Sequence, residues 1–371
     1  MKQAAVVGLG IGMAHCAGYL ESNDARLVAV CDLLPERLSH VGGTFDSGSM
    51  LVLKRLFRPE TLRCSWADLG VSTHTQIEEI LHDPDIDIVS LCTPDHTHAN
   101  LAIEVLRSGK HLLLEKPVAL TLPDAQRVIE QARRSDLTVG VGYEFRLNPV
   151  VCRLRELVVT GQLGRVEAFS LYHFRTPFRR DKWQHWIQQK ETSGGLIVEE
   201  TSHWLDLLRF VTNREPADVH CCSADGVHPD FDYEDLAFLQ GRFHPSGAWQ
   251  ISHFLTGFDF DLTITVHGTD RVAWAGLKEE RFSSLDGGAS DYLGVVTVGP
   301  VGGAPRDATI ERFGEEATEP NNIRDCTKQF AAAVNDGQPP LVSLSDATEA
   351  LRISLAAYES VARNEVIALR T

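Results

Sequence analysis

Up to residue 141 the chain alternates short apolar runs with helical patterns, and this rhythm constrains the fold more than any other feature. Residues 3–7 are an apolar run ending at glycine, residues 13–21 suit a helix, and Leu27 to Cys31 are a second apolar run. Pro35, well placed in a first helical turn, opens a helix to about His40. Residues 42–65, with Gly42-Gly43 and Ser47-Gly48-Ser49, read as an insertion. The alternation resumes with a helix at Ile77–His82, a strand at Ile86–Cys92, a helix at Ala99–Ser108 and a strand at His111–Glu115. A helix at Pro123–Arg134 and a strand at Thr138–Val141 follow. Apolar strands separated by helices predict an α/β unit, a doubly wound parallel sheet covered on both faces.

After residue 150 the pattern changes to period two. Gly164–Phe174, Asp235–Phe243, Trp249–Phe254 and Asp261–His267 alternate, punctuated by Pro245-Ser246-Gly247 and Gly268-Thr269-Asp270. These predict antiparallel strands in a second, α+β domain. Residues 321–336 and 345–363 return to helix. The length of 371 residues suits two or three domains at about 150 each. We place the division at 1–122 and 123–371, with the end of the chain returning toward the first domain.

Charge narrows the partners. The balance of 35 basic and 51 acidic residues, a net −16, disfavours nucleic acid or an anionic membrane as partner. Eight scattered cysteines with no Cys-x-x-Cys pair suggest neither a zinc site nor a disulfide framework, so no metal is expected and a reducing cytoplasm fits best. The apolar start is broken by Gly8, Gly10 and Gly12, which disfavours a secretory signal, and no run is apolar enough to cross a bilayer.

The loop Gly8-Leu9-Gly10-Ile11-Gly12 follows the first strand and opens the first helix. In that context Gly8 permits a tight turn, and Gly10 lets backbone approach a pyrophosphate at the helix N-terminus. Asp32 ends the second strand, where a carboxylate accepts from the adenosine ribose hydroxyls and repels a 2′-phosphate. Leu33 and Leu34 follow and supply no arginine for such a phosphate, so NAD(H) is favoured over NADP(H). The pattern expects a third glycine at position 13, where Met13 stands; Gly12 lies one residue early.

Three further segments carry a resemblance. Thr93-Pro94-Asp95-His96-Thr97-His98 follows one apolar strand and Glu115-Lys116-Pro117 the next. The stretch from Gly194-Gly195 through Glu199-Glu200-Thr201-Ser202-His203-Trp204-Leu205-Asp206 lies in the second domain. In this order and spacing, together with Gly142 to Pro149 and Ala356 to Ser360, the chain resembles the Gfo/Idh/MocA oxidoreductases over nearly its whole length. The resemblance implies an N-terminal Rossmann domain holding NAD against a large, mostly antiparallel open sheet. It also implies a small-molecule sugar or cyclitol substrate, and a homodimer or homotetramer.

Site residues follow from the same resemblance. Lys116 matches the active-site lysine, whose ammonium stabilises oxyanion character on the reacting hydroxyl. His203 matches the catalytic histidine, which takes or returns the hydroxyl proton. Glu199, four residues before His203 and so on one helix face with it, is expected to bind or orient substrate, with Glu200 as its competitor. Thr93, Pro94 and Glu115, with Lys116, border the cofactor; His98 is structural or cofactor-adjacent. Arg146 and Trp186 fall on positions that line the substrate cleft, with simple packing equally open for Trp186. The basic cluster Arg175, Arg179, Arg180 and Lys182 reads as a solvated loop, with recognition of an acidic substrate as the alternative. The implied reaction is hydride transfer between nicotinamide C4 and a hydroxyl or carbonyl carbon. An NAD-retaining glycoside-cleaving enzyme that works by transient oxidation, and a non-catalytic NAD-binding sensor, share the same motifs.

Overall fold

A computed structural model describes residues 1–45, 47–177, 183–257, 260–278 and 293–369. Six parallel strands build the first sheet: β1 (Lys2–Val7), β2 (Ala25–Cys31), β3 (Ser72–His74), β4 (Ile88–Leu91), β5 (His111–Glu115) and β6 (Val139–Gly142). Their spatial order is β3-β2-β1-β4-β5-β6. Strands β1, β2, β4, β5 and β6 are largely apolar because both faces are covered. Ala5 and Val7 pack into one core cluster and Ala4 and Val6 into another, as the two-residue period of a strand requires.

Three local expectations change. The helix expected from Pro35 to His40 is a single tight turn, Pro35–Arg37. The presumed insertion carries two helices, Ser47–Leu56 and Pro59–Arg63, and leads to the edge strand β3. That strand has three polar residues, too few for any periodic signal. Finally, β6 pairs in parallel with β5 from Leu112↔Val139 to Glu115↔Gly142, so the first sheet reaches past the division expected at residue 122.

Among the described residues the second sheet has nine strands: β7 (Val166–Phe174), β8 (Asp218–Ala224), β9 (Leu236–Arg242), β10 (Ala248–Phe254), β11 (Asp261–Gly268), β12 (Arg271–Lys278), β13 (Gly294–Pro300), β14 (Thr309–Phe313) and β15 (Ile367–Ala368). Their order is β14-β13-β12-β11-β7-β10-β9-β8-β15. All neighbours are antiparallel except β7 and β10. That pair is parallel because the chain leaves β7 through helices, runs the β8-β9-β10 meander and arrives beside β7 in the same direction. Phe169, Leu171, Ile251 and Ile264 face a core shared with helices Pro149–Val159 and Thr201–Thr212.

The last two long helices tie the units together. Glu319–Asp336 lies along the first helix, Gly12–Glu21, and Leu344–Arg363 packs on both β8 and helix Leu122–Ala132. Ser343 starts the final helix with a reciprocal cap: its Oγ accepts from Asp346 N at 3.1 Å, and the Asp346 carboxylate accepts from Ser343 N at 3.4 Å. No helix among the described residues is long and apolar enough to cross a membrane.

Candidate active site

The glycine loop sits where the strand order reverses, between β1 and β4, the place where open α/β sheets leave a ligand crevice. Gly8 has φ +87°, and a Cβ there would stand 2.3 Å from the Cys92 carbonyl oxygen beyond β4. Only glycine fits this turn. Helix Gly12–Glu21 begins four residues later, and a Cβ on Gly12 would lie 2.9 Å from Val6 Cγ1. Gly12 therefore does the close helix–strand packing expected of the third glycine, and Met13 turns into the core, fully buried. Between them, Gly10 and Ile11 form the turn, their carbonyls accepting from Met13 N (3.3 Å) and Ala14 N (2.9 Å). This cradle fits a pyrophosphate at a helix N-terminus.

Asp32 anchors the loop as well as facing the crevice. Its Oδ2 accepts from Leu9 N at 2.8 Å and Arg37 Nη1 at 3.2 Å, and its Oδ1 accepts from Leu34 N at 2.9 Å. A carboxylate has about four lone-pair positions, so one remains for a ribose hydroxyl. Arg37 is a basic residue that the Leu33-Leu34 pair did not foreshadow. Its ion pair with Asp32 turns it toward the carboxylate.

At the end of β5, the Lys116 ammonium crosses to the second domain. Its Nζ donates to Glu199 Oε1 at 2.6 Å and to the Glu199 carbonyl at 2.8 Å. Burial lowers the ammonium's pKa, but the carboxylates of Glu199, Asp95 and Glu200 outweigh it and hold the group charged above its ordinary range. The second Glu199 oxygen, Oε2, is buried with no hydrogen-bond partner among the described residues. Glu199 ends the short helix Gly195–Glu199, whereas His203 lies in the next helix, Thr201–Thr212. The single helix expected to carry both is thus broken at Glu200.

His203 stands edge-on to Tyr143 and Phe145, with ring centroids 5.4 and 5.5 Å away. Burial, reinforced by the Lys116 charge, pushes its pKa well below the ordinary imidazole range. Its Nδ1 has no hydrogen-bond partner among the described residues, and Glu144 Oε2 lies 3.9 Å away, beyond hydrogen-bond reach. Burial, with Glu319 and Glu115 adding repulsion, lifts the Glu144 carboxyl well above the usual range and favours its protonated form. Glu144 lies in the Gly142 to Pro149 segment, but nothing in the sequence singled it out as a site residue. The usable signal is its place just after β6, at the strand ends that open on the crevice.

The other expected residues take supporting positions. Glu115 Oε1 pairs with buried His15 Nε2 at 3.0 Å, and its Oε2 accepts from Lys116 N at 3.3 Å. His98 is buried and bridges two loops, Nδ1 to the Pro117 carbonyl (2.7 Å) and Nε2 to the Thr93 carbonyl (2.8 Å). Thr93 Oγ1 bonds Thr97 Oγ1 at 2.7 Å, and Thr97 Oγ1 donates to the Pro94 carbonyl at 2.6 Å. Trp186 is half-buried against the second domain's core. Arg175 pairs with Glu200; Arg179, Arg180 and Lys182 lie outside the described residues.

Arg146, expected in the substrate cleft, is instead an internal anchor. Nε and Nη2 grip Asp206 in a fork at 2.8 and 2.6 Å, and Nη1 donates to the Leu341 carbonyl (3.3 Å) and Asp346 Oδ2 (3.4 Å). The reason is geometric: Arg146 sits in the turn after β6, facing the helix that carries Asp206 and the start of the final helix.

Comparison with known proteins follows the same lines. Residues 2–143 match the family described as "Oxidoreductase family, NAD-binding Rossmann fold", named GFO_IDH_MocA, and residues 155–369 match its C-terminal alpha/beta domain. The chain is 24% identical over 370 residues to a myo-inositol 2-dehydrogenase of Thermotoga maritima, covering 98% of this chain and 97% of that one. It is 30% identical over 197 residues to a 1,5-anhydro-D-fructose reductase of Ensifer adhaerens, covering 53% of this chain and 59% of that one. A levoglucosan dehydrogenase solved with NADH and levoglucosan superposes with a TM-score of 0.78 at 18% identity, covering all of both chains.

Proposed function

Because the chain belongs to the Gfo/Idh/MocA oxidoreductases and carries their NAD-binding Rossmann domain, we propose that it interconverts a hydroxyl and a carbonyl on a sugar, cyclitol or derivative. The observation that carries this reading is the junction of Lys116 Nζ with Glu199, whose second oxygen is buried without a hydrogen-bond partner among the described residues. A substrate hydroxyl can accept from the ammonium while a neighbouring hydroxyl donates to Glu199 Oε2. Polyols supply such adjacent hydroxyls.

The environment separates the acid and base roles. Lys116 stays an ammonium, so it stabilises negative charge on the reacting oxygen and does not abstract the proton. His203 stays a neutral imidazole to well below its usual range, so it takes the hydroxyl proton during oxidation and returns it during reduction. Glu199 fixes the ammonium and orients the substrate. The nicotinamide, when bound, supplies or accepts the hydride. His98 and Glu115 act indirectly, by holding the loops after β4 and β5 in place.

Purified protein with NAD and a panel of cyclitols, aldoses and anhydrosugars should change absorbance at the nicotinamide band with at least one class. Lys116→Met should lower kcat by about 10²–10³-fold, the cost of losing one oxyanion donor, while NADH binding persists. Wild-type turnover in that variant would show the mechanism to be wrong.

We also propose that a second copy covers the outer face of the nine-stranded sheet. Cross-strand register puts exposed Tyr172, Phe238, Trp274 and Ile310 on that one face. An apolar patch of this kind marks an interaction site.

A further inference from the structure

The inner face of the second sheet carries a polar cluster that the hydride reaction does not use. His173 on β7 stands directly opposite His253 on the parallel neighbour β10, with ring centroids 5.0 Å apart. Both imidazoles are completely buried. Glu200, at the break between two helices, meets them from the other side, its Oε1 4.0 Å from His173 Nε2. One ligand atom from each of the three lies within 4.8 Å of the others.

The hydrogen bonds bear on where the ring protons sit. His173 Nδ1 faces the Asp261 carbonyl at 2.9 Å, which can only accept, so Nδ1 carries the proton. His253 Nδ1 faces Thr201 Oγ1 at 2.8 Å, and that hydroxyl also lies 3.1 Å from the Leu196 carbonyl. When Thr201 donates to the carbonyl it accepts from His253, whose Nδ1 then carries the proton too. A neutral imidazole has one ring proton, so in that arrangement both Nε2 atoms are bare lone pairs. Both are buried without a hydrogen-bond partner among the described residues. Two ring nitrogens and a carboxylate thus converge in the interior, with Arg175 as the carboxylate's present partner.

We propose that His173 Nε2, His253 Nε2 and a Glu200 carboxylate oxygen bind one divalent transition-metal ion of the zinc class. Two imidazoles and one carboxylate are borderline ligands that suit such ions better than calcium or magnesium, which take oxygen alone. An Nδ1–H held by a carbonyl or hydroxyl is the usual outer support of a metal-binding histidine. Metal–nitrogen bonds of about 2.0–2.1 Å require the three side chains to close by roughly an ångström. Arg175 Nη1 already donates to Glu200 Oε1, and the carboxylate's remaining lone pairs are enough for an ion as well. The ion would pin the turn between Glu199 and His203 to the sheet. The ligands lie at positions 173, 200 and 253, too far apart in sequence to form a recognisable spacing.

The test uses the full chain, produced in medium supplemented with zinc, cobalt, manganese and iron. Elemental analysis after desalting should find about one equivalent of a single transition metal per chain, falling at least tenfold in His173→Gln and in His253→Gln. Adding cobalt(II) to chelator-treated wild-type protein should give visible bands of imidazole-bound cobalt that zinc then abolishes. If both variants fail to fold, Glu200→Gln replaces them and should weaken cobalt binding at least tenfold; unchanged binding overturns the proposal. Metal-free wild-type protein with no cobalt bands overturns the proposal. So does equal metal content in wild type and folded variants, which would place the ion elsewhere on the chain.

Discussion

Replacing Arg146 with methionine separates an internal anchor from a substrate contact. Methionine keeps much of the apolar stem that packs beside Phe210 but removes the fork on Asp206. Asp206 is fully buried, and burial already lifts its pKa, with Arg146 and Arg209 pulling the other way. Without Arg146 the cheapest response is to bind a proton. From an unfolded pKa of about 3.9, protonation at pH 7 costs about 4 kcal/mol, since each unit is worth about 1.36 kcal/mol. That agrees with the roughly 3–5 kcal/mol typical of breaking a buried pair. For a domain of this size the melting temperature should fall by about 8–16 °C.

The sign with pH is also fixed. In the variant Asp206 has a folded pKa above its unfolded value, so the folded state holds the extra proton and gains relative stability as pH falls. At pH 5 the same calculation leaves a defect of only about 1.5 kcal/mol. Thermal or urea unfolding of wild type and Arg146→Met at pH 7 and pH 5 measures both numbers. Arg146→Met/Asp206→Asn, with no carboxylate to protonate, should lose the pH dependence of the defect. An unchanged melting temperature with a raised KM would refute the anchor reading, and a defect of equal size at both pH values would refute the protonation argument.

Gly8→Ala forces a side chain into left-handed backbone, about 1–2 kcal/mol, and against Cys92 O at 2.3 Å. NADH affinity measured by fluorescence should fall at least about tenfold (about 1.4 kcal/mol), and an unchanged Kd would contradict the tight-turn assignment. Since burial holds the His203 pKa well below 6.5, kcat/KM for oxidation should stay flat from pH 8 to 6.5; a fall centred at or above pH 6.5 that disappears in His203→Gln would count against a neutral base. By linkage, the folded state binds fewer protons there than the unfolded chain, so His203 also costs up to about 1.4 kcal/mol of stability per pH unit below about 6.5. Trp274→Glu should shift light-scattering mass toward the monomer, and an unaltered mass would rule out the outer sheet face as the interface.

Much of the first domain was legible because its signals are local. Apolar runs at β1, β2, β4 and β5, the glycines that end β1 and the acid that ends β2 all lie within a few residues of the structure they specify. The edge strand β3 was not, since three polar residues carry no period. The parallel pairing of β7 and β10 was not legible either: both strands alternate equally well in either direction, and only the path of the chain between them sets the sense.

The glycine loop and Asp32 come from the sequence by itself, because backbone conformation and residue chemistry at a strand end are local properties; Lys116 and His203 come from it through the motifs that carry the family resemblance. Tertiary structure decided the rest. It gave the third-glycine role to Gly12, took Arg146 out of the cleft and onto Asp206, and set Glu144 near His203. It also brought His173, Glu200 and His253 together across 80 residues of chain. Side chains far apart in sequence meet only when two sheets and the helices between them have packed, and a pKa or a free lone pair exists only in that packed environment.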